Sequence, residues 1–447
     1  MSMSLTGRRY LIAVALLLAA SFVINLGFSA LSPVFPYLIL ALKGVLKELP
    51  ELTKRAIEAH KGAVELGLLT AVFMVVRAPT AAIIGVVSDV LGRKKTILLG
   101  MAMYFASSLG FVLSNDLLLF IFFRGLQGAA SGMVWPVAEA YLADITPRWS
   151  RGKVISVYSS SMLIAEVLGP SIGVAVYKFY VSFFGKADVV LALKSPIVFL
   201  AVSCLISTIM LLFLPPRSRK GIGGKGRGNV GEGFKEVLAV LGRLPTKVAR
   251  SLRVIYVNGL INGLAMGILQ TAAIVYIIEE IAKDPLFIGL FFSAFSFVAL
   301  PATLLGGYLS DRAKRRKPFV AAGYFIGRAS FFLMPLARDY ISLTVFGLLI
   351  SLIFGFSSPI MRALQADLAP ENVRGSIFGL QQLFFNTGVF AGSIAGGYLT
   401  RICATMSFDV LGYTLTGYTV PFWTAGVLGI VTAVLFTAYV EERSPHE

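Results

Sequence analysis

The sequence predicts an all-α membrane protein: twelve transmembrane helices in two pseudo-symmetric six-helix bundles. Three observations carry this. The 447 residues are 57% hydrophobic and only 14% charged, with a mean hydropathy of +0.81, too apolar and too poor in charge for a water-soluble domain. The apolar residues gather in runs of about 20 or more, the length that crosses a bilayer core. The chain also repeats itself about its midpoint.

The expected spans are 10–42, 64–89, 96–114, 117–144, 153–182, 189–214, 252–280, 286–311, 318–337, 340–368, 375–402 and 415–440. They define a first bundle (1–214), a cytoplasmic linker (215–251) and a second bundle (252–447). Most connections are short. Segment 43–63 is long and polar, with a helical pattern. The linker contains GKGRG, which reads as a flexible spacer and not a phosphate loop, because no strand precedes it and GKS/T is absent. Phe234, Val237, Leu238 and Leu241 then predict an amphipathic helix over 232–243, lying on the membrane or the bundle.

Composition excludes several classes. Disorder requires low hydrophobicity and high charge. Cys204 and Cys403 sit in apolar segments and His60 and His446 in polar ones. They support no disulfide framework, metal centre or Ser-His-Asp site, so neither enzyme chemistry nor a cofactor is expected. The net charge of +17 would suggest nucleic acid in a soluble protein. With both termini cytoplasmic, however, the Lys and Arg excess falls on cytoplasmic loops, as membrane topology demands, so no nucleic-acid partner is expected. Arg8 and Arg9 precede an apolar run, as in a signal peptide. The run is long for one and has a counterpart in the second half, so it is read as the first span of a multi-pass protein of the plasma or inner membrane.

The duplication is specific. Gly67, Phe73, Pro79, Gly85 and Ser88-Asp89 meet Gly289, Phe295, Pro301, Gly307 and Ser310-Asp311 at a spacing of 222. Gly132, Pro136, Asp144, Pro147, Arg151 and Gly152 meet Gly355, Pro359, Asp367, Pro370, Arg374 and Gly375 at a spacing of 223. Gly169 and Gly173 meet Gly392 and Gly396, and Asn25 best matches Asn262. Small residues coincide by chance in apolar helices, but charged ones are too rare here to do so. Two parallel six-helix repeats fit a transporter that rocks about a substrate held near the midplane.

The repeated residues carry a resemblance. GVVSDVLGRKK, with Gly85, Asp89, Gly92, Arg93 and Lys94, closely resembles the loop signature between the second and third spans of the major facilitator superfamily. GYLSDRAKRRK, with Asp311 and Arg312, resembles its weaker echo between the eighth and ninth. FRGLQGAASG, with Arg124, Gln127 and Gly128, looks like the family's fourth-span motif. LGPSIG, with Gly169, Pro170 and Gly173, is similar to the fifth-span motif of drug–proton antiporters, although Ala165 and Glu166 stand where the family has more glycine.

The resemblance implies a secondary active transporter working by alternating access. It also implies a latch on the cytoplasmic side, with Asp89 docking at the start of the eleventh span near Arg374–Gly375 and Asp311 at the start of the fifth near Arg151–Gly152. Arg93 is placed to pair with Asp144, the counterpart of Asp367. The expected partners are a small-molecule substrate, protons and the lipid bilayer, and the expected state is a monomer.

Ionisable groups inside spans are costly and are functional candidates by default. Six are seen: Arg77, Arg124, Glu139, Glu166, Arg328 and Arg362. At about 1.5 Å per residue, Arg77 lies roughly 18 Å and Glu166 roughly 21 Å from the cytoplasmic edge, near the midplane. Arg124, Gln127, Gly128, Ser131 and Trp135 share one face of the fourth span, which suits either the cavity or packing within the half. Glu166, the midplane carboxylate, is a proton-coupling candidate or the partner of an arginine in its own half. Glu139 and Arg362 occupy equivalent repeat positions and are candidates for a cytoplasmic gate, or for pairs within their own halves. Asn25, Asn262 and Gln270 lie on the first and seventh spans, which line the cavity in the family. Arg328 is read as structural or snorkelling.

Two functions follow. The first is proton-coupled efflux of small lipophilic or amphipathic compounds. The alternative is uptake or exchange of an organic anion, a carboxylate or phosphorylated metabolite, clamped by Arg77 and Arg124.

Overall fold

A computed structural model describes residues 7–147, 150–185, 188–215, 246–312, 316–368, 374–410 and 413–442. The helices are α1 (Gly7–Ala30), α2 (Phe35–Leu42), α3 (Ala63–Leu91), α4 (Arg93–Leu113), α5 (Leu117–Ile145), α6 (Arg151–Phe184) and α7 (Val189–Leu212). They continue with α8 (Thr246–Tyr276), α9 (Pro285–Arg312), α10 (Lys317–Ala329), α11 (Tyr340–Leu368), α12 (Arg374–Cys403) and α13 (Thr419–Tyr439). Eleven described helical stretches are long and apolar enough to cross a membrane. The expected span 375–402 is also helical, as the 30-residue α12, but its many glycines leave it less apolar. The helix expected over 232–243 lies outside the described residues.

Three local features differ from expectation. The first span breaks into α1 and α2 around Pro33, with Pro36 in the first turn of α2, because proline supplies no N–H for the helical ladder. Segment 43–63 forms only a 3₁₀ turn, Ala59–Gly62, despite its helical pattern, and Pro50 interrupts it. Between α12 and α13 a short antiparallel hairpin pairs β1 (Ser407–Val410) with β2 (Tyr413–Thr416).

The chain forms two compact units. In the first, α1 packs on α6 and α7, and α4 packs on α5 and α7. In the second, α8 packs on α12 and α13, and α10 packs on α11 and α13. These four contacts match across the repeat, so the halves share a packing plan as well as motifs. The units do not follow the sequence halves throughout. Residues Glu58–Ala71, including the start of α3, belong to the second unit, and Asp284–Ser293, including the start of α9, belong to the first.

Glycine sets the closest crossings. A Cβ at Gly173 would overlap the Ala30 carbonyl oxygen, and one at Gly396 would come 2.6 Å from Ile268 Cα. Larger residues there would force α1 from α6 and α8 from α12.

Lys194 on α7 is 3% exposed. Its ammonium donates to Val112 O at 2.9 Å, Ser114 O at 2.5 Å and Asn115 Oδ1 at 2.7 Å, tying off the end of α4.

Candidate functional site

The first unit gathers its charge around α5. That helix starts at Asp116, whose carboxylate accepts the Leu118 N–H at 2.9 Å. Gly128 lets α3 approach, since a Cβ there would lie 2.5 Å from Phe73 O. This crossing places the Phe73 ring beneath two guanidinium groups, 4.7 Å from Arg124 and 5.9 Å from Arg77, with Phe35 5.9 Å from Arg124. Such cation–π contacts stabilise by about 0.5–2 kcal/mol each. Arg124 also donates from Nη1 to Gln127 Oε1. About two turns further, Trp135 Nε1 donates to Tyr104 OH at 3.0 Å, and the Tyr104 ring lies 4.9 Å from Phe28.

The expected polar stripe therefore divides. Gln127 and Ser131 are 0% and 1% exposed, and Gly128 is buried with them. These three are packed within the bundle and do not line open space, because the glycine draws α3 over them. Arg124, Trp135 and Arg77 remain half-buried. Sequence reading missed Phe73 and Tyr104, since a single helix face does not reveal which neighbouring ring covers it.

Glu166 is exposed on α6 and makes no ion pair among the described residues. Only its backbone carbonyl is engaged, accepting from Ser29 Oγ at 3.2 Å. The adjacent motif is structural in this geometry. Gly169 and Gly173 seat α6 on α1, and Pro170 packs beside Gly289 at the start of α9, where Ser171 and Ser293 hydroxyls meet at 2.9 Å. Asn25 turns back to donate to Ser21 O of its own helix at 2.8 Å.

In the second unit Gln270 is exposed on α8. Asn262 is half-buried, and its Oδ1 accepts from Arg328 Nη2 at 2.8 Å and from Thr432 Oγ1 at 3.3 Å. Arg328 is 5% exposed, so it does not snorkel. Its guanidinium lies 3.9 Å from the Tyr324 ring centroid and 4.8 Å from that of Phe354. Gly429 of α13 leaves room for its stem, and a Cβ there would overlap Arg328 Cγ.

The loop motifs form ion pairs that match across the repeat. Gly92 separates α3 from α4 at φ +91°, a conformation open to glycine and strained for other residues. Arg93 Nε then meets Asp144 Oδ2 at 2.6 Å, and Lys94 Nζ donates to Leu212 O at 2.7 Å. In the second unit Arg316 Nη1 meets Asp367 Oδ2 at 2.5 Å. Arg316 stands 223 residues after Arg93, a spacing the sequence displayed but the surrounding basic run concealed. Arg312 is exposed, within 3.4 Å of Tyr308 OH, and Arg151 is half-buried. The side chains of Asp89, Asp311 and Arg374 lie outside the described residues. Glu139 and Arg362 are both exposed.

A further cluster was not anticipated. Glu279, in a π-helical turn ending α8, accepts from the His60 backbone N–H at 2.7 Å and lies 2.9 Å from His60 Nδ1. Its other oxygen accepts from Tyr418 OH. Burial and the Glu279 carboxylate push the Tyr418 phenol above its ordinary range, which keeps it a donor. The start of α3 crosses α12 beside this cluster, with Gly67 against Ser393 O.

Comparison with known proteins agrees with this plan. Multidrug resistance protein 2 of Bacillus subtilis is 32% identical over 114 residues, 26% of this chain and 28% of that protein. Several of the most similar relatives are thus matched over less than a third of their length. The quinolone resistance protein NorA of Staphylococcus aureus is 22% identical over 79% of this chain and 85% of its own. The structure of the xylose transporter XylE from E. coli superposes with a TM-score of 0.65 at 15% identity, covering 98% of this chain and 97% of that one. The family model described as Major Facilitator Superfamily matches residues 17–258 and 255–447. With two equivalent helix-packing sets among the described residues and both repeats matched, the chain belongs to the major facilitator superfamily, whose members are multi-pass membrane transporters and not enzymes.

Proposed function

We propose that this transporter is a proton-coupled exporter of small lipophilic or amphipathic compounds, cycling by alternating access. The observation that supports it best is Glu166, an exposed carboxylate in the middle of an apolar helix with no ion pair among the described residues. A carboxylate so placed can take up and release a proton without breaking a salt bridge, and a cationic or neutral amphipathic solute can displace that proton. The half-buried rings of Phe73, Phe35, Phe28 and Trp135 supply apolar surface on the same unit. The names of the multidrug relatives point the same way.

Proteoliposomes with an imposed proton gradient test the reading. The Glu166→Gln variant is expected to lose gradient-driven accumulation of a lipophilic dye while still binding it. Full accumulation by that variant would refute the assignment. A second reading, organic-anion exchange, rests on Arg77, which is half-buried with the Phe73 ring as its recorded contact. Loss of transport of a carboxylate in Arg77→Gln, with dye export intact, would favour it.

For gating, we propose a latch in which Asp89 docks at the start of the eleventh span near Arg374–Gly375 and Asp311 at the start of the fifth near Arg151–Gly152, and a charge pair of one transport state between Glu139 and Arg362. Glu139→Arg and Arg362→Glu are each expected to slow transport severalfold, and the double swap to restore it. Failure of the swap to rescue either single variant would remove the pair.

A further inference from the structure

We propose that Arg328 and Asn262 form a binding site for a small monovalent anion, a halide or a carboxylate, inside the second unit.

Arg328 is buried to 5% exposure, yet it makes no ion pair with a carboxylate among the described residues. The helical stretches 246–276, 285–309, 317–336, 340–366, 374–403 and 419–439 contain no Asp or Glu. Glu279 and Glu280 fall in the π turn beyond α8, where Glu279 is engaged by His60 and Tyr418. What surrounds the guanidinium is two aromatic rings and one amide oxygen. Rings and amides attract a cation but leave its net charge intact, and a buried uncompensated charge is strongly unfavourable.

The donor inventory points to the missing component. A guanidinium carries five N–H donors, and Asn262 Oδ1 takes one of them. The Thr432 hydroxyl lies 3.3 Å from the same oxygen, with its proton directed mainly to Gly429 O at 2.6 Å. The Asn262 Nδ2 group makes no hydrogen bond to the described residues. The remaining guanidinium N–H groups of Arg328 and the Asn262 NH₂ group form a cluster of donors that no carboxylate meets among the described residues. That chemistry takes an anion: two parallel N–H groups accommodate a carboxylate edge or a single halide. The first unit differs, because its spans carry Glu139 and Glu166 as well as Arg77 and Arg124. The site is independent of the Glu166 assignment, and either can fail alone.

Purified full-length protein in detergent provides the test, with thermal unfolding followed at constant ionic strength as isethionate, a bulky sulfonate, is replaced by chloride, bromide or acetate. A saturable rise in Tm is expected, together with an anomalous bromide peak within hydrogen-bond reach of Arg328 in a soaked crystal. A response to halide alone identifies an inorganic ion. A response to acetate, equal or stronger, identifies a carboxylate ligand. Arg328→Gln is expected to weaken the apparent anion affinity by about tenfold or more, equivalent to at least one decade in Kd. Arg401→Gln, an exposed arginine at the end of α12, should leave the response unchanged. If Arg328→Gln does not fold, Asn262→Ala and the bromide map of the unaltered protein decide. No anion dependence, no bromide peak at Arg328, or an undiminished response in Arg328→Gln would each overturn the proposal.

Discussion

The two units are alike where helices touch and unlike where charge is buried. Gly173 on α6 and Gly396 on α12 stand 223 residues apart and make the same close crossing, onto α1 and α8 respectively. Arg93–Asp144 and Arg316–Asp367 repeat the same ion pair. The first unit buries Lys194 against backbone carbonyls and carries Glu139 and Glu166 exposed, whereas the second buries Arg328 among rings and an amide. Duplication preserved the scaffold, which depends on shape. The interior diverged, because side-chain chemistry there can change without disturbing the crossings.

The crossings offer the severest trial of that likeness. Gly173→Val and Gly396→Val should each cost on the order of 3 kcal/mol through overpacking against backbone, seen as comparable falls in Tm. A large loss in one and tolerance in the other would show that the crossings are not equivalent. The ion pairs provide a finer comparison. The Arg93 and Asp144 side chains are 15% and 29% exposed, against 23% and 51% for Arg316 and Asp367. Asp144→Asn is therefore expected to cost about 1 kcal/mol and Asp367→Asn a few tenths, since solvent screens the second pair. Added salt should narrow the difference, and equal losses at low salt would contradict the ranking.

Much of the scaffold was legible in the sequence because it rests on rare residues at fixed spacing. Asp144 and Asp367, or Arg151 and Arg374, stand out in a chain that is 14% charged. Helix periodicity also placed Gln127, Gly128 and Ser131 on one face. It could not say whether that face met a cavity or another helix, and Gly128 drawing in α3 decided the matter. Arg316 was hidden for a different reason: in KRRK every neighbour is basic, so no single arginine stands out. The partnership of Arg328 with Asn262 joins residues 66 apart on helices that no local pattern pairs.

Lys194 bears on how the protein is assembled. A lone lysine entering the bilayer on α7 meets a barrier unless acceptors await it. Those acceptors, Val112, Ser114 and Asn115, belong to a hairpin made earlier in the chain. Synthesis order alone thus ensures that the sixth span arrives to find its berth already built.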